Sequence, residues 1–425
     1  MNNLKEFPPK FVDTFIRHTI MIEKIGINIF DETKNSFFKR HFKLALFLSL
    51  VMVLLVGQIL YVIKRNEIDA QFLDVVSTIP STFIVIQDLV KIFVVTYKRD
   101  RIRKVIMEIG KIWPTELDDE EKKKTLHSWT KSLKFFDNGK YNRQTDLKKK
   151  KNCFSLYKKV FVRNSYLFKY PFRDFEQQRY QFKYFLIIST TVHMCVYVSC
   201  DFLLVDLIFD LSALLSLLRI DLENLMEQNS TNYDFEDDDC EDIKVIVIKH
   251  QKLLSLAETL NEIFGGIIFS QVSFSSVIIC CYSFMAVIAD GMFLKNLTAS
   301  LGIMFAIFII AWPGQMLSDA SNNVATAAYR CLWYERGKKF RKCIAIIIAS
   351  NDLLFFKEVY FYFLTSIYCV LVDSYKIISS ETSNLHVLDF YVRSCILYFT
   401  QTSSSLCREI SITSTIFIDI NSTMK

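Results

Sequence analysis

Residues 44–63 read LALFLSLVMVLLVGQILYVI, an apolar run that only Ser49, Gly57 and Gln58 interrupt. An α-helix rises 1.5 Å per residue, so a run of about 20 covers the ~30 Å hydrocarbon core of a bilayer. A soluble helix needs a polar face along its length, and a barrel strand needs strict alternation; this stretch has neither. It is therefore a membrane span, and similar runs follow at 72–97, 185–205, 264–288, 297–312 and 353–372. The run at 72–97 also carries Asp74, Asp88 and Lys91. The last two lie near its inner end, three apart and so on one helix face. Two further stretches fall short: 154–172 is broken by Lys158, Lys159, Arg163 and Lys169, and 387–399 is too brief. The fold expected is an all-α polytopic membrane protein with six clear transmembrane helices.

Composition agrees. Of 425 residues, 51% are hydrophobic, with only 10 Gly and 6 Pro, which excludes disordered and collagen-like chains. The 11 Cys are too dispersed for a disulfide scaffold. A net charge of +6 raises the question of nucleic acid, and the position of the charges answers it. YKRDRIRK at 97–104 and ERGKKFRK at 335–342 sit beside span ends, where basic residues mark the cytoplasmic side. Residues 1–43 are also basic and lack a signal-peptide pattern, so they are expected to be a cytoplasmic segment. These charges face phospholipid, and no nucleic-acid partner is expected.

Parity then exposes an inconsistency. Two loops on one side need an even number of spans between them, yet only three clear runs separate 97–104 from 335–342. The discrepancy falls on 116–183, which is strongly basic and contains no credible span.

Helical periodicity continues outside the membrane. Leu204, Ile208, Leu211, Leu215, Leu218, Leu222 and Leu225 recur at steps of three and four. So do Val247, Leu253, Leu254, Ala257, Leu260 and Ile263, and later Leu317, Ala320, Val324, Ala327, Ala328 and Leu332. Three amphipathic extensions running on from three spans predict a cytoplasmic helical bundle. The acidic stretch DFEDDDCED at 234–242 lacks the Gly turn and closing Glu of a calcium loop and reads as a solvated linker.

No motif for nucleophilic, metal-dependent or phosphate chemistry is present, so no enzyme, cofactor or metal is expected. His193 reads as a packing histidine or a ligand contact, and the adjacent Cys280 and Cys281 read as small packing residues. Asp201, Asp206 and Asp210 read as the point where their helix leaves the bilayer. Sequons begin at Asn229, Asn296 and Asn421. The orientation places Asn296 in a short outer loop, where it is the glycosylation candidate.

The order of elements resembles the insect odorant receptor family over 165–376. The resemblance is carried by Tyr170, Pro171 and Phe172, by the helix end containing Asp206, and by HQKLLSLAETLNEIFGGIIFSQ at 250–271. It continues through Gly314 and Gln315, then Ser321, Ala327, Tyr329 and Trp333, and ends at Ser374 and Tyr375. It implies seven helices with the amino terminus inside. It also implies a transmembrane domain at 44–376, with anchor-forming extensions at about 203–263 and 315–350. The family's third helix is expected within 125–160, where this chain reads HSWTKSLKFFDNGKYNRQTDLKKKKN from position 127. Residues 377–425 form an atypical tail, and Lys376 stands where a small residue is usual.

The function implied is that of a ligand-tuning subunit. With a shared co-receptor it would form a heterotetramer, a non-selective cation channel in the plasma membrane of olfactory neuron dendrites. Its ligand would be a small, volatile, mostly apolar molecule. The outer halves of the spans offer Phe72, Ile79, Phe83, Tyr184, Ile188, Thr191, Tyr282, Met285, Met304 and Phe305 as its pocket. The last helix would line the pore through Val370, Asp373, Ser374, Ile377 and Ile378. There an apolar ring at Ile378 would gate by dewetting, and Asp373 would favour cations. A gustatory-type receptor is the nearest alternative. A secondary transporter is the alternative of another class, but it would need repeated halves with broken helices, and none is evident.

Overall fold

The computed structural model describes residues 7–24, 26–27, 29–30, 37–63, 76–115, 119–137, 176–229, 239–288, 293–331 and 333–350. Within some helices, 176–196 chiefly, it describes the backbone alone. Apart from short turns and connections, the described residues are helical. In chain order the helices are α1 (Pro9–Lys24), α2 (Phe37–Ile63), α3 (Ile79–Tyr97), α4 (Arg99–Ile112) and α5 (Glu120–Asp137). They are followed by α6 (Glu176–Asn229), α7 (Asp239–Ile288), α8 (Phe293–Arg330) and α9 (Lys338–Ala349), with a 3₁₀ turn at Trp333–Glu335.

Among the described residues, four helices are long and apolar enough to cross a membrane, through Phe42–Leu60, Ile79–Tyr97, Glu241–Ala286 and Phe293–Arg330. α2 shows why such a helix needs lipid. Phe47, Val51, Leu54 and Gln58 turn inward at steps of three and four, while Met52, Val53, Val56, Ile59 and Leu60 remain exposed. α3 begins at Ile79, with Pro80 in its first turn, where a missing N–H costs nothing, and 72–75 lie outside the described residues. Of the other expected spans, 185–205 lies within α6, and 353–372 lies outside the described residues.

Three helices carry the architecture. α6, α7 and α8 contain 54, 50 and 38 residues, or about 80, 75 and 57 Å of continuous helix. A ~30 Å bilayer core accounts for less than half of the first two. The remainder is the expected bundle. Leu204, Ile208, Leu211, Leu215, Leu218 and Leu222 are all buried, as are Val247, Leu253, Ala257, Leu260, Ile263, Leu317, Ala320, Val324 and Ala328. Phe340, Ile344 and Ile347 of α9 close the same core.

Two elements were not legible as such. α5 occupies the start of the region that parity singled out, and it is an amphipathic helix on the side of α6 rather than a span. The indole ring of Trp129 meets Phe209 edge-on at 5.9 Å, and its N–H donates to Ser216 Oγ at 3.1 Å. Lys122 pairs with Asp221 at 2.7 Å, and Asn224 donates to Asp119 at 2.9 Å. Residues 138–175, which hold the rest of the expected third helix, lie outside the described residues. α1 is the other element. Its Phe11, Phe15, His18 and Ile22 form one stripe at steps of four, three and four, and that stripe is buried against α6 and α4.

α3 and α4 are joined at Lys98. Its backbone N–H donates to Val94 O to close α3, and its ammonium donates to the carbonyl of Glu262. Arg101 reaches the Glu262 carboxylate at 3.3 Å, and Lys252 reaches Glu108 at 2.8 Å. α4 therefore runs down the side of α7, away from the apolar segment.

Candidate ligand-binding site

Two layers meet where α3, α6, α7 and α8 converge. The outer layer is apolar. Val76 and Ile84 pack with Ile278, Ile279, Cys280, Tyr282, Phe284 and Met285 of α7 and with Ala299, Ile303 and Ile307 of α8. Phe83, Met304 and Phe308 close its edges, and the Phe83 ring lies 5.3 Å from that of Phe274. Four of the candidate residues, Phe83, Tyr282, Met285 and Met304, thus share one cluster. Ile79 is half-buried and outside it. Phe305 is 45% exposed and points outward, beside Phe308 in a stack that continues to Trp312.

The other candidates fall on undescribed positions. Phe72 and the pore residues Val370, Asp373, Ser374, Ile377 and Ile378 lie outside the described residues. For Tyr184, Ile188 and Thr191 only the α6 backbone is described. Asn296 is found in the first turn of α8 rather than in a loop, and its side chain is 3% exposed. Nothing in Phe293, Leu294 and Lys295 breaks the helix, so the turn holding Asn296 is already helical.

The inner layer is polar, and sequence reading missed its connectivity. Lys91 and Asp88 are both fully buried. The Lys91 ammonium donates to Asp201 Oδ2 at 2.8 Å, lies 2.7 Å from Oδ1, and sits 3.2 Å above the Tyr197 ring. Gln271 of α7 donates to Asp201 at 3.3 Å. Gln87 accepts from the Tyr197 hydroxyl at 3.1 Å and donates to the Gln271 carbonyl at 3.4 Å and Ser275 Oγ at 3.5 Å. Charges in a low-dielectric setting are tolerated only when paired in this way.

The other two aspartates continue the pattern one and two turns further along α6, where they bind α1. His18 Nδ1 meets Asp206 Oδ2 at 2.6 Å, with the His18 ring stacked on Phe202. Thr14 donates to Asp210 at 3.1 Å. Burial, and Asp206 one turn before it, push the Asp210 carboxyl well above its usual range, against the Thr14 hydrogen bond. The three acids therefore join α6 to α3 and α1; they do not merely mark an exit from the bilayer. Their spacing of four and five residues was visible, but their partners lie 110 to 196 positions away.

Taken together, the site offers apolar and aromatic walls with a few hydrogen-bonding groups at one end, which suits a small, weakly polar molecule. No group of His, Cys, Asp and Glu that would hold a metal occurs among the described residues.

Comparison with known proteins agrees with this architecture. Residues 71–351 match the 7tm Odorant receptor family. Odorant receptor 49a of Drosophila melanogaster is 30% identical over 133 residues, 30% of this chain and 33% of that protein. Odorant receptor 85b of the same organism is 28% identical over 143 residues, 33% of this chain and 36% of that protein. The matched stretches span about a third of the length of these relatives. The insect olfactory receptor OR5 from Machilis hrabei, solved in complex with eugenol, has the same fold. It superimposes with a TM-score of 0.68 at 12% identity, over 86% of this chain and 97% of that one. A family match covering well over half of the sequence, on an all-helical membrane fold, shows that the chain belongs to the odorant receptor family.

Proposed function

We propose that this chain is a ligand-tuning odorant receptor subunit. It binds small volatile molecules in the apolar cluster between α3, α7 and α8. With a shared co-receptor it opens a non-selective cation channel in the plasma membrane of olfactory neuron dendrites. The observation that carries the reading is the convergence of Phe83, Tyr282, Met285 and Met304 in one cluster, directly outward of buried hydrogen-bonding groups. A ligand acts by binding the open arrangement more tightly than the closed one, and a ~100-fold preference is worth roughly 2.7 kcal/mol. The amino terminus lies in the cytoplasm, beside the bundle. The pore is assigned to Val370, Asp373, Ser374, Ile377 and Ile378 on the family resemblance.

The test is co-expression with a co-receptor in a cell without other receptors, with a panel of volatile alcohols, esters, ketones and phenols. Cation current that requires both subunits supports the reading. Met285→Trp fills the cluster, and it should abolish responses to the larger probes while surface expression is retained. Unchanged responses in that variant would move the ligand elsewhere.

A further inference from the structure

We propose that the Lys91–Asp201 pair is an intramembrane clamp that makes α3 and α6 a single unit, so that a ligand in the apolar cluster displaces α7 against it. The inference rests on the ligand-site reading above.

The contacts that hold the two interfaces are unequal. Between α3 and α6, one ammonium makes contacts of 2.7 and 2.8 Å to both oxygens of one carboxylate, and it lies 3.2 Å from the centroid of a ring one turn earlier. The Lys91 side chain is 1% exposed, so no water replaces a lost contact. Opposite charges in such surroundings stay together or separate at great cost, which excludes small adjustments between these helices. At the level of the pair, α7 meets this unit through uncharged donors, in hydrogen bonds of 3.3, 3.4 and 3.5 Å, at or beyond the long end of the N–H···O range. Its charged contacts, Lys98 and Arg101 with Glu262 and Lys249 with Asp221, lie further along the helix toward the bundle. Gln271 Oε1 is buried with no hydrogen-bond partner among the described residues. α7 thus holds an unused acceptor beside bonds that are already stretched, and a shift along α3 would exchange one set for another.

The apolar cluster lies where such a shift would be driven. Phe83 and Ile84 precede Gln87 by one turn on α3, and Ile278 and Ile279 follow Ser275 by one turn on α7. A molecule seated between them presses on the clamped α3 from one side and, from the other, on the end of α7 beyond Gln271, which its charged contacts near Glu262 do not reach.

The experiment is a charge cycle in cells co-expressing the co-receptor. It compares Lys91→Met, Asp201→Leu, the double variant, and the exchange Lys91→Asp/Asp201→Lys. Surface labelling, ligand-free current and EC50 for the same volatile panel, eugenol included, are the readouts. Each single change buries an uncompensated charge and should cut surface expression about tenfold. The apolar double variant, made with Asp88→Asn so that no buried acid is left beside the lost ammonium, should regain the surface yet show raised ligand-free current and an EC50 moved by about tenfold, because the clamp is gone. The exchange should restore both. Wild-type current and EC50 in the apolar double variant would overturn the proposal by showing a purely structural pair. If wild type gives no current with any probe, the channel reading fails instead. The clamp is then judged by the melting midpoints of the four purified proteins, where recovery in the double variant supports it and additive losses refute it.

Discussion

Replacing Gly110 by alanine sets two physical effects against each other, and the structure decides the sign. Gly110 lies in α4, where intrinsic propensity favours alanine by about 0.8–1.0 kcal/mol. A Cβ at this position would stand 2.8 Å from Phe11 Cε1, 2.8 Å from Phe7 Cδ1 and 2.9 Å from Phe7 Cε1. Carbon atoms pack at about 3.5–4.0 Å, so the rings must retreat by roughly an ångström. Phe11 cannot retreat easily, because its ring is buried between Phe15, 5.1 Å away, and Trp113, 5.2 Å away. Overpacking of this kind costs about 1–3 kcal/mol, so the net effect should be a destabilisation of up to about 2 kcal/mol falling on the seat of α1. The assay is limited proteolysis in membranes at Arg17 and Lys24 of α1, which should become about tenfold faster if α1 opens locally before cleavage. Phe7 supplies two of the three close atoms, so Phe7→Ala combined with Gly110→Ala should restore most of the protection. A single variant that is more stable, with unchanged cleavage, would show that α1 does not dock on α4.

Three further outcomes follow from other parts of the bundle. His250 lies 14 residues inward of Phe264, fully buried, and desolvation lowers its pKa to about 4. Its folded-state pKa lies below the unfolded value, so stability is complete above about pH 6.5 and falls as pH drops toward 4, by up to about 3 kcal/mol. The melting midpoint of purified protein should show that slope, and His250→Leu should flatten it. Trp129→Phe keeps the ring on Phe209 but removes the bond to Ser216, which should cost about 1 kcal/mol in thermal unfolding. Asp210→Asn removes an acid whose ionised form is disfavoured by burial and by Asp206. The variant should melt at or above the wild-type temperature at pH 7, and a lower midpoint would mean that the Thr14 bond needs the charge.

The parts of this fold that periodicity encodes were legible. A step of three and four leucines along α6, α7 and α8 reports a buried stripe whatever the surroundings, because 3.6 residues per turn leaves no other way to bury them. The same logic separated bilayer from bundle, since the bundle stripes alternate with charges and the spans do not. α1 was missed because sixteen residues with Lys10, Asp13, Arg17 and Lys24 look solvated until Phe11, Phe15 and His18 are seen to find α6. α5 was read as a region without a span, which it is, but its role beside α6 depends on Trp129 meeting Phe209 eighty positions on. The apolar cluster was half legible. Which residues sit in the outer halves of spans follows from orientation, but which of them turn inward follows from helix rotation, and Phe305 beside Met304 shows that one position reverses the answer. The polar layer was the least legible, because a Lys–Asp pair across 110 residues leaves no local pattern.

The uninterrupted length of α6, α7 and α8 has a consequence for how such sequences can diverge. Each residue of helix turns the chain by about 100°, so adding or deleting one residue anywhere between the apolar cluster and the bundle rotates everything beyond it by that angle. On α7, the face carrying Ile278, Tyr282 and Met285 and the face carrying Val247, Leu253 and Leu260 belong to the same unbroken thread. A single inserted residue would therefore bury one set and turn the other outward. Substitution can retune either end independently, but length cannot change within these helices. Insertions and deletions should collect outside these helices, between Asn229 and Asp239, between Ile288 and Phe293, and beyond Arg330.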